Sequence, residues 1–363
     1  MKSTTSCIDK GLFIIFATCK APLTMKINAD RLQLKDIFEA QGRIASIALK
    51  TPLMRSEILS ERTGKDIYLK LENLQTTGSF KIRGAANALL SLSPDQKKRG
   101  VITFSTGNHG RAVAFVARSL GLRAVICLSN RVPQYRLDAM RKLGAEVVRY
   151  GESQDEAYGH ALELQQKQGL TMIQAFDDPL IIAGQGTIGL EILEDLPRVD
   201  TVVVPLSGGG LIAGIALAMK TADPNIRVVG VSMEVAPAMY HCIRAAKPVE
   251  IEEKDSLADA LLGGIGLENQ YTFPLVQKLV DDIILVTEDE IAEGMFFAFE
   301  QQRLVIEGAA AVGIAMLIGG KDNSIGRHTA VVLSGSNVDT AILSRIAATR
   351  YGIAGIGDGP NRA

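Results

Sequence analysis

The 363-residue sequence predicts an α/β protein whose two lobes are each built on a doubly wound sheet. Short apolar runs alternate with longer segments of helical periodicity along most of the chain, as parallel sheets covered by helices require. Hydrophobic residues make up 47% of the chain and charged residues 22%, which is the ordinary range for globular domains. At roughly 150 residues per domain, two domains fit this length. Ligands are expected where loops leave the carboxyl ends of the strands.

The N-terminal third of the chain predicts three helices and one strand. Apolar residues recur at three- and four-residue steps over 32–45, which predicts a helix. A second, short helix is predicted over 53–64. Alternating apolar and polar residues over 66–72 predict a half-buried strand. Helical spacing returns over 81–92.

Two strand–helix series follow. In the first, predicted strands occupy 101–105, 124–129, 145–151 and 171–176. In the second, a long helix over 180–196 precedes predicted strands at 201–206, 227–233, 281–287 and 330–336, and a helix over 340–349 closes the series. Weak boundaries near 95–100 and 177 predict a large domain formed by 25–97 with 178–363 and a small α/β domain formed by 98–177.

Charge and cysteine usage exclude several classes of partner and location. The balance of 40 acidic and 39 basic side chains makes neither nucleic acid nor an anionic membrane an expected partner. The 4 cysteines form no CxxC pair, which favours a reducing, cytoplasmic location over disulfides or zinc. No apolar run reaches the ~18 residues of a membrane span, and the run at 11–19 lacks the flanks of a signal peptide. Residues 1–24, which precede a second methionine, are predicted to be an unstructured extension.

The first polar loop presents Lys81 at the start of a predicted helix, shortly after a Thr-Thr-Gly-Ser turn. The helix dipole disfavours an ammonium group at this end, and partial burial lowers the pKa of such a lysine further. A neutral amine is the form that Schiff-base chemistry needs. Considered alone, this loop favours a solvated surface lysine over a Schiff-base lysine at position 81.

Two further loops connect a predicted strand directly to a helix. The segment 105–110, Ser-Thr-Gly-Asn-His-Gly, offers free N–H groups and small polar side chains that suit a carboxylate or a phosphate, or it simply caps the helix. Ser334 and Asp339 follow the last predicted strand. Asp339 is a candidate cap of the closing helix, and Ser334 would face the same crevice as the glycine loop if the two strands share a sheet.

The remaining loop is a glycine-rich turn after a buried strand. Ser207 and the three glycines 208–210 lead into a helix, so several N–H groups can converge on one phosphate. Gly208, Gly210 and Ala213 also match the dinucleotide fingerprint, with Glu234 at the end of the next strand. A nicotinamide-dependent oxidoreductase is therefore an alternative from spacing alone.

Taken in order, the four motifs LENLQTTGSFKIRGA, STGNHGRA, SGGGLIAG and LSGSNVD resemble the fold-type II pyridoxal-phosphate enzymes. The branch they resemble most is that of the threonine/serine dehydratases (ammonia-lyases), to which serine racemase is related. The resemblance extends from about residue 30 to residue 350. It implies the two-lobed fold of the tryptophan synthase β-like kind, with pyridoxal 5'-phosphate between the lobes. It also implies a small amino-acid substrate and a homodimer or homotetramer.

The resemblance also implies residue roles. Lys81 would form the Schiff base with the cofactor and remove the substrate α-proton. The other cofactor contacts would be Phe80, Asn108, Ser334 and, around the phosphate, Ser207, Gly208, Gly209, Gly210 and Leu211. Glu307 matches a carboxylate near the cofactor, or is a glutamate favoured at a helix N-terminus. The substrate carboxylate would be held by Ser105, Thr106, Gly107 and His109. Thr106 stands where the racemase branch often has serine, and its stiffer, bulkier side chain would favour elimination.

The reaction implied by the resemblance is the α,β-elimination that converts L-threonine, and also L-serine, to a 2-oxo acid and ammonia. The segment 261–273 is more similar to dehydratases of hydroxyectoine utilisation, so a hydroxyectoine-derived amino acid is an alternative substrate. A catalytically silent ligand-binding relative is a third possibility. Glu234 and the Ala238 carbonyl match two ligands of a mono- or divalent cation site, but Tyr240 replaces the second carboxylate, which disfavours that site.

Overall fold

The computed structural model describes residues 32–353 except 106, 133, 153 and 323, and the side chains of 135, 154 and 155 are also left out. The predicted α/β class is confirmed. The predicted extension 1–24 lies outside the described residues. Among the described residues, no helix is long and apolar enough to cross a membrane.

The larger of the two sheets has six strands. In spatial order they are β1 (Leu53–Arg55), β2 (Asp66–Lys70), β10 (His328–Val332), β7 (Thr201–Pro205), β8 (Arg227–Met233) and β9 (Asp282–Val286). Every pairing is parallel except that of β1 with β2. The predicted helix over 53–64 was wrong at its start, because Leu53–Arg55 form a short edge strand and the helix begins only at Glu57. Ser56 then caps the helix that follows, because its hydroxyl accepts from Leu59 N at 3.3 Å.

The smaller sheet has four parallel strands and lies wholly between residues 101 and 172. Its spatial order is β5 (Glu146–Arg149), β4 (Ala124–Leu128), β3 (Val101–Phe104) and β6 (Thr171–Met172). The predicted strand 171–176 is therefore shortened to its first two residues. The chain leaves the larger sheet after β2, builds this sheet, and returns to the larger one at β7. We call the two parts the large and small lobes.

Helices cover both sheets. The first seven are α1 (Leu34–Ile44), α2 (Glu57–Thr63), α3 (Lys81–Leu90), α4 (Pro94–Arg99), α5 (Asn108–Ser119), α6 (Gln134–Lys142) and α7 (Gln154–Gln168). The rest are α8 (Pro179–Asp195), α9 (Gly210–Ala222), α10 (Ala238–Ala245), α11 (Thr272–Leu279), α12 (Glu288–Gln302), α13 (Gly308–Ile318) and α14 (Thr340–Tyr351). Strand β7 is buried throughout, as a central parallel strand requires. Helices α3, α5, α9 and α13 begin beside the carboxyl ends of strands, where the polar loops meet.

Candidate active site

One cavity of about 480 Å³ lies at the junction of the two lobes. All four loops predicted from the sequence contribute to its lining, including Lys81, Asn108, Ser207 and Ser334. Parallel strands place the loops at their carboxyl ends on one edge of each sheet, which is why segments far apart in sequence meet here. A cavity of this size, with convergent polar groups, is the expected form of a small-molecule site.

Lys81 is the first residue of α3, and the loop before it is fastened to the end of β10. Phe80 N donates to Ser334 O at 3.0 Å, and Ser79 pairs with Gly335 in an isolated bridge. The Lys81 ammonium donates to Ala175 O at 2.7 Å. Burial lowers the pKa of Lys81 to about 8, against the raising effect of the Glu307 charge. About a tenth of the amine is therefore neutral at pH 7, and half of it at pH 8.

A buried ionic cluster, which we call the α3 anchor, joins Arg83, in the first turn of α3, to residues of three other elements. It consists of Lys70, Glu72, Arg83 and Glu191. The Arg83 guanidinium donates to both Glu72 oxygens at 2.8 Å and to Glu191 at 2.6 and 2.8 Å. The Lys70 ammonium lies 2.6 Å from Glu191 Oε2. Two positive and two negative groups thus offset each other while fixing α3 to β2 and α8.

The glycine turn after β7 has the geometry of an anion cradle. Gly209 has a φ of +89°, which glycine adopts without strain, and it caps α9. A side chain at Gly208 would meet the Phe176 ring at 2.6 Å, so glycine is required for close packing as well. The first N–H groups of α9 have no helical partner and carry the positive end of the dipole. A phosphate fits this turn.

The loop before α5 places its polar groups on the cavity, although Thr106 lies outside the described residues. Burial, followed by the nearby Lys81 charge, lowers the pKa of His109 to about 3, so the ring is neutral. His109 Nε2 lies 3.1 Å from Ile173 O and therefore carries the ring proton. This leaves Nδ1 as a buried acceptor that has no hydrogen-bond partner in the described part of the chain. The ring cannot then donate to a carboxylate, whereas the main-chain N–H of His109 can.

A second polar network, which we call the lobe joint, links the small lobe to the large one. It consists of Asn108, Arg111, Glu307 and Asn337. Asn108 Nδ2 donates to Glu307 Oε1 at 2.7 Å, and Asn337 Nδ2 donates to Asn108 Oδ1 at 2.5 Å. Arg111 donates to Asn337 Oδ1 at 2.9 Å, and Asn337 N to Glu307 Oε2 at 3.2 Å. Burial and then the Asp259 charge raise the pKa of Glu307 to about 7.

Most predicted site residues lie on the cavity. Its lining includes Phe80, Lys81, Ser105, Gly107, Asn108, His109, Ser207, Gly208, Gly209, Gly210, Leu211, Glu307 and Ser334. The sequence reasoning missed Arg111, Arg136, Asp259 and Asn337 as site residues, although Arg111 and Asn337 lie inside or beside the recognised motifs. The roles assigned to these residues remain predictions.

The predicted cation ligands lie elsewhere. Neither Glu234 nor Ala238 lines the cavity, and Glu234 Oε1 is 3.5 Å from the Lys321 ammonium. Lys321 also contacts Glu290 at 2.7 Å. Within the described residues, no group of three or more His, Cys, Asp or Glu side chains could hold a metal ion. The cation site stays a prediction from resemblance.

Comparisons with known proteins extend over most of the chain. The family model described as "Pyridoxal-phosphate dependent enzyme" matches residues 44–335. A putative threonine dehydratase of Sinorhizobium fredii is 50% identical over 311 residues, which cover 86% of this chain and 94% of that protein. The L-threonine ammonia-lyase of Thermotoga maritima is 45% identical over 315 residues, covering 87% and 78%.

Solved structures of similar proteins share the fold. Maize serine racemase superimposes with a TM-score of 0.82 at 32% identity, covering 88% of this chain and 98% of that one. The processed form of threonine deaminase isoform 2 from Solanum lycopersicum superimposes with a TM-score of 0.80 at 36% identity, covering 89% and 94%. These matches confirm the resemblance predicted from the four loop motifs.

Proposed function

Because the chain belongs to the family of pyridoxal-phosphate dependent enzymes, we propose that it is a dehydratase (ammonia-lyase) of β-hydroxy amino acids. It converts L-threonine, and also L-serine, to a 2-oxo acid and ammonia. The support is the cavity chemistry together with relatives named threonine dehydratase or L-threonine ammonia-lyase at 41% to 50% identity. The single observation that carries the proposal is the lysine of lowered pKa that shares one cavity with the glycine turn.

The described residues fit the cofactor. The glycine turn at the start of α9 suits its phosphate, and the cavity of about 480 Å³ has room for the cofactor and a small amino acid. Ser207 and the segment 208–211 would hold the phosphate, while Phe80, Asn108 and Ser334 would border the ring. When bound, pyridoxal phosphate would supply an electron sink that stabilises the negative charge left on the substrate α-carbon after its proton is removed.

Lys81 is the general base of the proposal. Its Nζ takes the α-proton of the substrate, for which a neutral amine with a pKa near the working pH is the effective form. The 2.7 Å hydrogen bond to Ala175 O directs the amine toward the cavity. Ser105, Gly107 and the main-chain N–H of His109 bind the substrate carboxylate at the start of α5, where the dipole favours an anion. Thr106 is proposed to favour elimination over racemisation.

Domain division, location and assembly belong to the same proposal. We assign 25–97 with 178–363 to the large domain and 98–177 to the small one. The smaller sheet lies within 101–172, which supports this division. A cytoplasmic location is supported by Cys127 and Cys242, both buried free thiols. A homodimer or homotetramer is proposed from the resemblance.

The structure disfavours one of the two alternatives predicted from the sequence, and the other is compatible with the same cavity. The nicotinamide fingerprint needs Glu234 near the glycine turn, but this carboxylate contacts Lys321 and does not line the cavity. A hydroxyectoine-derived amino acid remains an alternative substrate of the same chemistry, on the strength of the segment 261–273. It is tested as a separate arm of the assay below.

The test measures 2-oxo acid release from L-threonine, L-serine and a hydroxyectoine-derived hydroxy amino acid by the purified, cofactor-loaded protein. We expect Lys81→Ala to lower turnover by at least about 1,000-fold, because it removes the general base and the anchoring amine. Lys98→Ala, an exposed lysine of α4, is the matched control and should retain activity. Borohydride reduction followed by peptide mapping should label Lys81. Labelling at another residue, or no 2-oxo acid from threonine and serine, would contradict the proposal.

A further inference from the structure

An ion pair joins the two lobes at the mouth of the cavity. Arg136 lies on α6 of the small lobe, and Asp259 begins the 3-10 turn Asp259–Leu261 of the large lobe. Arg136 Nη2 is 2.7 Å from Asp259 Oδ2, and both residues line the cavity. Their side chains are 29% and 48% exposed, so they are reached from solvent as well as from inside.

The surroundings of this pair show which end of the cavity it closes. Ala139 and Met140 of α6 form the wall next to Arg136, and Leu261 and Leu262 form the wall next to Asp259. After burial, the Asp259 charge is the next cause of the raised pKa of Glu307, which places Asp259 on the Glu307 side of the cavity. The pair therefore bounds a partly apolar part of the cavity that borders Glu307, on which both charges of the pair act.

We propose that the Arg136–Asp259 pair determines specificity by limiting the size of the substrate side chain that the closed site admits. The inference rests on the proposed dehydratase function. A methyl group or hydrogen on the β-carbon, as in threonine and serine, fits within the walls formed by α6 and the 3-10 turn. A β-hydroxy amino acid with a bulky β-substituent must separate the pair in order to bind.

A partly exposed ion pair is weak enough to break and re-form in every catalytic turnover. Ion pairs with substantial solvent exposure contribute little to stability, because water screens the charges and ordering the two side chains costs entropy. The pair can therefore break when substrate enters and re-form around a small one. Salt at about 1 M shortens the screening length to ~3 Å and should weaken the closure further.

The test compares L-threonine with L-threo-3-phenylserine, whose dehydration and hydrolysis give phenylpyruvate and ammonia. The preference for threonine, as a ratio of kcat/KM values, should fall about tenfold in Arg136→Ala and in Asp259→Asn, a change within the range of pocket discrimination. The double variant should lose no more than either single one, because both remove the same contact. Arg136→Lys should retain most of the preference.

The matched control is Arg123→Ala, which breaks an exposed 2.7 Å pair with Glu146 in the same lobe. Both residues of that pair flank the amino ends of β4 and β5, away from the cavity, so the preference should not change. A second readout does not depend on turnover: borohydride should bleach the cofactor absorbance several-fold faster in Arg136→Ala than in the unmodified protein.

The outcomes separate the two proposals. An unchanged preference and an unchanged bleaching rate in both single variants would overturn the specificity inference while threonine turnover continued to support the dehydratase. Absence of 2-oxo acid from every β-hydroxy amino acid, with the cofactor bound, would overturn the dehydratase instead. Additive losses in the double variant would show that the two residues act separately, which also contradicts the inference.

Discussion

Two polar networks lie near Lys81, and they differ in how their charged groups are paired. The α3 anchor has two cations and two carboxylates, all buried and all within the large lobe. The lobe joint has one carboxylate, Glu307, held by amide N–H groups, and one cation, Arg111, which donates to Asn337, and it crosses from one lobe to the other. The anchor pairs its charges directly within one lobe, whereas neutral amide groups bind the charges of the joint between the two lobes.

The difference appears in the pKa values. Burial alone would favour a neutral Glu72, but the Arg83 guanidinium holds the pKa of Glu72 below its ordinary value. The Glu307 carboxylate accepts from amide groups instead, and burial followed by the Asp259 charge raises its pKa to about 7. Glu72 in the anchor is thus ionised through the physiological pH range, whereas Glu307 in the joint changes charge within it. The anchor holds α3, and with it Lys81, in a fixed position. The joint provides a contact between the lobes whose charge depends on pH.

The largest expected effect breaks the anchor. Arg83→Met leaves Glu72 and Glu191 without their shared guanidinium, and removing one partner of a buried ionic cluster costs about 3–5 kcal/mol. Urea unfolding of the cofactor-free protein should show this loss. Arg123→Met, at an exposed ion pair, is the control and should change the free energy of unfolding by at most about 0.5 kcal/mol. A loss below about 1 kcal/mol in Arg83→Met would show that the cluster does not stabilise α3.

The next effect tests the charge of the joint. Glu307 has a pKa of about 7 in the folded protein against an ordinary value of 4.5, so the folded state binds more protons between these values. Its contribution to stability therefore falls as pH rises from about 4.5 to about 7, by about 3 kcal/mol.

The measurement is the free energy of unfolding from pH 4.5 to pH 8 in the cofactor-free protein. Glu307→Gln should remove the fall, so the variant gains stability relative to the unmodified protein as pH rises. Glu163→Gln, on the exposed face of α7, is the control and should leave the pH profile unchanged. Parallel profiles for Glu307→Gln and the unmodified protein would mean that Glu307 is ionised throughout this range.

The sequence predicted the fold and the individual loops well because both are recorded locally. Apolar runs predicted nine of the ten strands of the described residues, with ends shifted by a few positions. The missed strand, Leu53–Arg55, spans too few residues for alternation to be visible. The glycines 208–210 were predicted because a turn, a helix start and the residue type coincide within one short segment. Lys81 was identified only through the resemblance carried by all four motifs.

The two networks could not be predicted in the same way, because their partners are distant in sequence. Asn108 and Glu307 are separated by 199 positions, and Asn337 and Asn108 by 229. No pattern within a short segment of the sequence indicates that residues so far apart will be in contact. The anchor left a weak signal: Arg83 and Glu191 are charged residues inside helices whose other residues are largely apolar and buried. A charge in that setting indicates a buried partner without identifying it.

The smallest expected effect tests whether the lobe joint, unlike the α3 anchor, contributes more to activity than to stability. Asn337→Ala removes the hydrogen bonds to Asn108 and Thr77 and the acceptor of the Arg111 guanidinium, but it removes no charged group. Losing neutral hydrogen bonds of this kind should lower the free energy of unfolding by about 1 kcal/mol, well below the loss expected for Arg83→Met. A similar loss at this site should lower kcat/KM for threonine about fivefold. Asn225→Ala, in an exposed loop, is the control and should alter neither quantity. If Asn337→Ala instead destabilises the protein as strongly as Arg83→Met, the joint is part of the rigid framework, and the contrast between the two networks fails.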